Sequence, residues 1–175
     1  MKRKHGVLTY VDLREMREDL MTPLLDAETE ALISGPGQKP EDYPWLPGHR
    51  IPDDDTQLVI FEDGVAVGLI GFSPSWGFTD VGFWLTASAR RRGILTTAWE
   101  DLNARYGTLF EAGTWERNGA ARAFLASIGF RETGITETGK GRAVHLTYVA
   151  RDDEHEKTDG GEPGIREEND HEQAA

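Results

Sequence analysis

The sequence contains no cysteine. That removes a disulfide framework, a thiolate nucleophile and any Cys-based zinc site. It also has no apolar run long enough to span a bilayer, and Met1-Lys2-Arg3-Lys4-His5-Gly6 leads into no apolar signal core. The expectation is a cytoplasmic protein with no membrane partner. Basic residues are in the minority, 19 Lys and Arg against 31 Asp and Glu, and the net charge is -12. A nucleic-acid-binding surface would show the opposite balance, so no nucleic-acid partner is expected. His5, His49, His145, His155 and His171 are scattered, without the i, i+4 spacing of a zinc helix. No Gly-x-Ser-x-Gly elbow and no phosphate-loop Lys-Ser/Thr is present. Neither a resident metal nor a serine hydrolase is expected.

What is present suits one globular domain with a polar appendage. A chain of 175 residues can bury a real core, and 38% hydrophobic with 29% charged residues is the balance of a folded soluble protein. The acidity is uneven: residues 151–175 carry -7 and the remainder -5. The tail lacks apolar content and is expected to be disordered, leaving a single domain over 1–150.

Along the chain, Gly6 to Val11 reads as a first strand, although Thr9-Tyr10-Val11-Asp12 also fits a helix-capping box. Leu13, Met16, Arg17 and Leu20 have helical spacing, and Thr22-Pro23 opens a second helix over about Leu24 to Ile33. Residues 34–55 form a long loop. Gln57 to Phe61 and Val65 to Phe72 are strands joined by Glu62-Asp63-Gly64, a tight hairpin signal. Asp80 to Leu85 is the next strand, then a helix ends near Tyr106-Gly107 with Ile94, Leu95, Ala98 and Leu102 on its buried face. A strand from Thr108 to Trp115, a helix from Ala120 to Ile128, and two closing strands from Phe130 and Ala143 complete the domain.

The stretch between the Asp80–Leu85 strand and the following helix carries the chemistry. Arg90-Arg91-Arg92-Gly93-Ile94-Leu95-Thr96 opens a helix whose first N–H groups lack intrahelical partners and whose dipole is positive at that end. This is a ready site for a phosphate or pyrophosphate. Gly93 permits close backbone approach, and the arginines supply forked donors. A solvated basic turn on an acidic protein is the competing reading.

Arg90-Arg91-Arg92-Gly93-Ile94-Leu95 resembles the Gln/Arg-x-x-Gly-x-Gly/Ala signature of the GNAT superfamily of acetyl-CoA-dependent N-acetyltransferases, with Leu95 standing where a second Gly or Ala is usual. A second likeness is Asn118 followed by a short helix and Gly129-Phe130, in the family's order and spacing. The resemblance covers residues 56–149 well and the first fifty-odd loosely. It implies an α+β, three-layer fold: a mixed, mostly antiparallel twisted sheet of six to seven strands flanked by helices, with a V-shaped cleft between strands 4 and 5. The implied reaction moves an acetyl group from acetyl-CoA, as co-substrate, directly to a primary amine of a small molecule, peptide or protein.

The same resemblance distributes roles. Trp84, Leu85 and Thr86 match positions whose main chain meets the pantetheine arm. Arg90, Arg91, Arg92, Gly93, Ile94, Leu95 and Thr96 would hold the pyrophosphate, and Asn118 would contact the pantetheine from the other side. Tyr43 and Trp45, in the long loop, could wall an acceptor pocket or simply fasten that loop. Gly82 and Gly113 lie in the two strands beside the cleft. A general base is needed to take the ammonium proton, and Asp80, Glu111 and Glu116 are the candidates. The family's usual acid, a tyrosine, falls at Leu125, and the serine of the branch acting on ribosomal protein N-termini falls at Ala121; both positions are apolar here. Two alternatives follow: a catalytically degenerate fold binding acyl-CoA, or an interaction module acting through the acidic tail. A homodimer is left open.

Overall fold

The computed structural model describes residues 5–16 and 51–149. The second expected helix, residues 34–50 of the long loop with Tyr43 and Trp45, and the acidic tail lie outside the described residues. The elements are β1 (Leu8–Asp12), β2 (Thr56–Glu62), β3 (Val65–Pro74), β4 (Thr79–Leu85), α1 (Ile94–Tyr106), β5 (Leu109–Trp115), α2 (Gly119–Ser127), β6 (Arg131–Thr138) and β7 (Gly141–Val149). They build one seven-stranded sheet in the order β1-β2-β3-β4-β5-β7-β6. Every neighbouring pair is antiparallel except β4 and β5. Among the described residues no helix is long and apolar enough to cross a membrane.

Local chemistry explains the element boundaries. The β2–β3 hairpin turns on Asp63 (φ 48°) and Gly64 (φ 80°), both left-handed, as a two-residue turn matched to strand twist requires. A bulge in the β2–β3 ladder at Ile60/Phe61 flips the phase of β3, so Val67 faces the larger core while Ala66 packs with the smaller one. Helix α1 starts at Gly93 (φ 87°) and stops at Gly107 (φ 156°), two conformations that a side chain would oppose. Of the helical spacing at Leu13, Met16, Arg17 and Leu20, the described part forms a 3-10 turn, Leu13–Glu15, and Arg17 and Leu20 lie outside the described residues. Asp12 accepts from the Arg14 N–H and Met16 is extended, so an Asx turn replaces the first α-turn there. The capping-box pattern at Thr9–Asp12 falls within β1 instead.

Both described helices pack on one face of the sheet. Ile94, Ala98, Trp99 and Leu102 of α1 and Leu125 of α2 join Ile60, Ile70, Phe72, Val81, Leu85, Phe110, Val144 and Leu146 in one core. Trp99 is its centre, 5.0 Å from Phe110, 5.4 Å from Phe130 and 5.3 Å from Tyr148 between ring centroids. Truncating such a buried indole costs about 3–5 kcal/mol. The opposite face carries a smaller apolar cluster of Leu13, Val59, Leu69 and Trp84. Tyr10 donates to Asp101 at 2.6 Å and so ties β1 to α1.

Candidate active site

Strands β4 and β5 pair only at Thr79↔Phe110 and Asp80↔Glu111, and beyond that they part. The directions of their backbone groups follow from the flanking ladders. Ser75 N–H donates to Phe78 O and Thr86 N–H to Val67 O, which frames the β3–β4 ladder. By antiparallel alternation Gly82, Trp84 and Thr86 turn their backbones to β3, while Val81, Phe83 and Leu85 turn theirs to β5. On β5, Glu116 N–H donates to Arg142 O, so Glu111, Gly113 and Trp115 turn theirs to β4. The splay thus leaves Phe83 and Gly113 without ladder partners across the gap, an arrangement that favours a ligand supplying them. Of the three expected main-chain contacts, only Leu85 faces the gap; Phe83, absent from the expectation, joins it. The phase of the ladder, which decides this, is a long-range property.

The gap is backed on the helix side by Phe83 and Phe124, whose rings meet edge to face at 4.7 Å. Behind β4 the chain makes a 3-10 turn, Ala87–Ala89, and enters the arginine turn. Arg90 folds back so that its Nε donates to Leu85 O at 3.1 Å. Arg91 is exposed and held at φ 58°, a left-handed conformation that costs a non-glycine residue about 1–2 kcal/mol. Arg92 bonds Glu62 at 2.6 Å, and the Glu62 carboxylate, only 8% exposed, also accepts from Gly6 N–H at 2.9 Å. Gly93 offers no side-chain cap, so among the described residues Ile94, Leu95 and Thr96 lead α1 with bare N–H groups. Ile94 is buried and Leu95 packs on the core, leaving the Gly93 side of the turn clear of their side chains. One turn in, Thr97 Oγ1 lies 2.7 Å from His5 Nε2.

On the face away from the helices a concavity of about 250 Å³ opens beside the gap, lined in part by Gln57, Gly71, Asp80, Gly82, Trp84 and Gly113. Its floor is glycine. Gln57 pairs with Gly71 and Gly71 with Gly82, while Gly82 and Gly113 each lie two residues past the Asp80↔Glu111 pair, so one row crosses four strands. Among the described residues a Cβ on Gly82 or Gly113 would meet nothing within 4 Å; one on Gly71 would meet the Gln57 carboxamide, 2.8 Å from Oε1. Neither Gly82 nor Gly113 has positive φ, so their role is absence of bulk.

Asp80 stands at one end of this floor, facing Glu111 across the last closed pair. Burial of its carboxylate, and then the neighbouring Glu111 charge, raise its pKa above the ordinary value, with His145 opposing. A carboxyl tuned upward beside a cleft is suited to proton transfer. Glu116, at the far end of β5, is instead paired with Arg142 at 2.8 Å. Asn118 caps α2, its side chain accepting from Ala121 N–H at 3.1 Å, which is the favoured employment of Asn at that position. Leu125 is buried in the core at 1% exposure, and Ala121 is half-buried. Among the described residues no three His, Asp or Glu side chains gather as a metal site.

Residues 14–130 match the model of the acetyltransferase (GNAT) family. The chain belongs to that family. The GNAT fold recurs in solved structures of low identity, which share architecture alone. AAC(6')-Ib in complex with ribostamycin and coenzyme A superposes with a TM-score of 0.63 at 20% identity, over 87% of this chain and 98% of that one. A probable acetyltransferase gives 0.52 at 19% identity, over 57% of this chain and 64% of its own. The Salmonella typhimurium acetyl transferase that modifies the N-terminal serine of ribosomal protein L7/L12 gives 0.50 at 17%, over 55% and 64%. This GNAT chain therefore spans a little under two thirds of the length of the latter two. No curated protein matches the sequence.

Proposed function

We propose that this GNAT domain transfers the acetyl group of acetyl-CoA to a primary amine. The observation that carries the reading is the abrupt end of β4–β5 pairing after Asp80↔Glu111, next to a turn that carries Arg91 into the uncapped start of α1. The residues present fit the co-substrate. The Gly93–Thr96 backbone and Arg91 would hold the diphosphate, and the gap-facing groups of Phe83 and Gly113 would bond the pantetheine amides. Acetyl-CoA supplies an activated thioester; the chain's own part is to hold it, orient the amine and take its proton. Asp80 is placed for that last task, directly or through one water. The new bond joins the amine nitrogen to the acyl carbon, the carbon–sulfur bond breaks, and the departing thiolate is protonated from water. Two structures of like fold carry ligands in keeping with this: AAC(6')-Ib is in complex with ribostamycin and coenzyme A in one, and with Parmomycin and acetyl-CoA in the other.

An acidic body and Asp80 with Glu111 beside the concavity favour a cationic acceptor. A second reading, a domain that binds acyl-CoA without turnover, is favoured by apolar Leu125 and Ala121. Calorimetry with acetyl-CoA, followed by a thiol-release screen over amines and peptides, tests both. Heat of association with thiol release supports transfer, association without release on any amine supports the second reading, and no association overturns both.

A further inference from the structure

Two buried polar side chains line the concavity. Gln57 is 6% exposed and Trp84 7% exposed, both line the concavity, and among the described residues Gln57 Oε1 and Trp84 Nε1 have no hydrogen-bond partner. Leaving such groups buried and unpaired costs about 1–3 kcal/mol each. Their positions are related through the sheet. Gln57 arches over Gly71 towards β4, and on β4 the same face shows Asp80, Gly82 and Trp84 in turn. A carboxylate thus stands at one end of the glycine floor, an indole N–H at the other, and a carboxamide oxygen at the side.

The chemistry of these groups selects an occupant. The indole N–H only donates, so its partner must accept; the carboxamide oxygen only accepts, so its partner must donate. An ammonium cannot accept from Trp84, and a carboxylate or phosphate cannot donate to Gln57 and would meet Asp80 and Glu111. A hydroxyl does both through a single atom, where an amide would need its N–H and its C=O to reach the two groups separately. We infer that the concavity is the acceptor pocket and takes a small hydroxyl-bearing amine, with its ammonium towards Asp80 and a hydroxyl bonded to Trp84 Nε1 and Gln57 Oε1. This rests on the acyl-transfer reading for the amine's fate, though the binding preference stands by itself. Gln57 and Trp84 are then specificity-determining residues.

The three positional isomers of aminocyclohexanol, with cyclohexylamine as the hydroxyl-free reference, test it on the full chain with CoA present. By calorimetry the best isomer should bind about tenfold more tightly than cyclohexylamine, the loss expected when a buried hydrogen-bonding group goes unpaired. W84F keeps an aromatic ring and removes the N–H, and Q57L keeps most of the volume; each should bring that ratio close to one. If W84F fails to fold, Q57L decides alone. Equal binding of all four amines, or a preference that survives the substitutions, overturns the inference. Thiol release separates the two readings: preference without release sinks acetyl transfer and keeps the pocket, and release without preference does the reverse.

Discussion

Asp80 and Glu111 are the last residues to face each other before β4 and β5 part, so two carboxylates guard the mouth of the gap. Burial and the Glu111 charge together raise the Asp80 pKa. If Asp80 takes the ammonium proton, kcat/KM should rise with pH as it ionises, with an inflection above the ordinary aspartate value of about 3.9. D80N should abolish that limb and lower kcat/KM by about 10²–10⁴-fold. E111Q should shift the inflection down by removing the repulsion. A pH profile of thiol release for the three proteins checks this.

The same shift has a stability consequence of definite sign. Asp80 has a higher pKa folded than unfolded, so its contribution is fully present below the unfolded value and is lost as pH rises through the folded one. The advantage of D80N over the wild type in urea unfolding should therefore grow with rising pH and level off once folded Asp80 is ionised. An advantage independent of pH would show that the carboxylate is not strained in the fold.

Arg91 is exposed yet held in a left-handed conformation, and strain kept in that way is often tied to function. R91G should stabilise the protein by about 1 kcal/mol in denaturant titration, because glycine adopts this φ freely. It should also weaken acetyl-CoA binding through loss of a charged donor, by about 1.5–3 kcal/mol in calorimetry. Opposite signs in the two measurements are the expected outcome; unchanged affinity would place the phosphates elsewhere.

Arg92 serves a different end. Its partner Glu62 is buried and shared with Gly6 N–H, which joins the N-terminal strand to the arginine turn. R92A would strand that carboxylate. We expect it to lower stability by about 1–3 kcal/mol, where R91A costs little. Truncation of the two arginines, read by melting and by acetyl-CoA affinity, should separate a fold-holding arginine from a ligand-facing one.

Adjacent arginines look alike in a sequence and part company only when β2 delivers Glu62 beside one of them. That contrast marks what could be read in advance. Periodicity and turn residues located β2 through β7 and both described helices, because Asp63-Gly64, Gly93 and Gly107 act locally. The likeness of the arginine turn and of Asn118–Phe130 supplied the cleft between β4 and β5. Cross-strand consequences were hidden: the direction of the Phe83 and Leu85 backbones, the glycine row and the burial of Gln57. A polar residue opening the apolar run Leu58-Val59-Ile60 was the available signal for Gln57, and it reads equally as a strand end.

By its resemblance to the family's pattern Leu125 matches the usual place of a tyrosine acid, but here it is a core residue at 1% exposure. A tyrosine at that site meets packed neighbours, and L125Y should cost about 1–3 kcal/mol. Phe124 is the better probe, since its ring already touches Phe83 at the gap. F124Y adds a hydroxyl there and preserves the edge-to-face contact. A thiol has a pKa of about 8.5, far below an amine's leaving-group basicity, so its thiolate departs without a proton donor. F124Y should therefore leave kcat within about twofold of the wild type, by the 1.36 kcal/mol-per-decade relation between barrier and rate. A tenfold gain would show that protonation of the leaving group limits the wild-type reaction and that the apolar α2 face is what slows it.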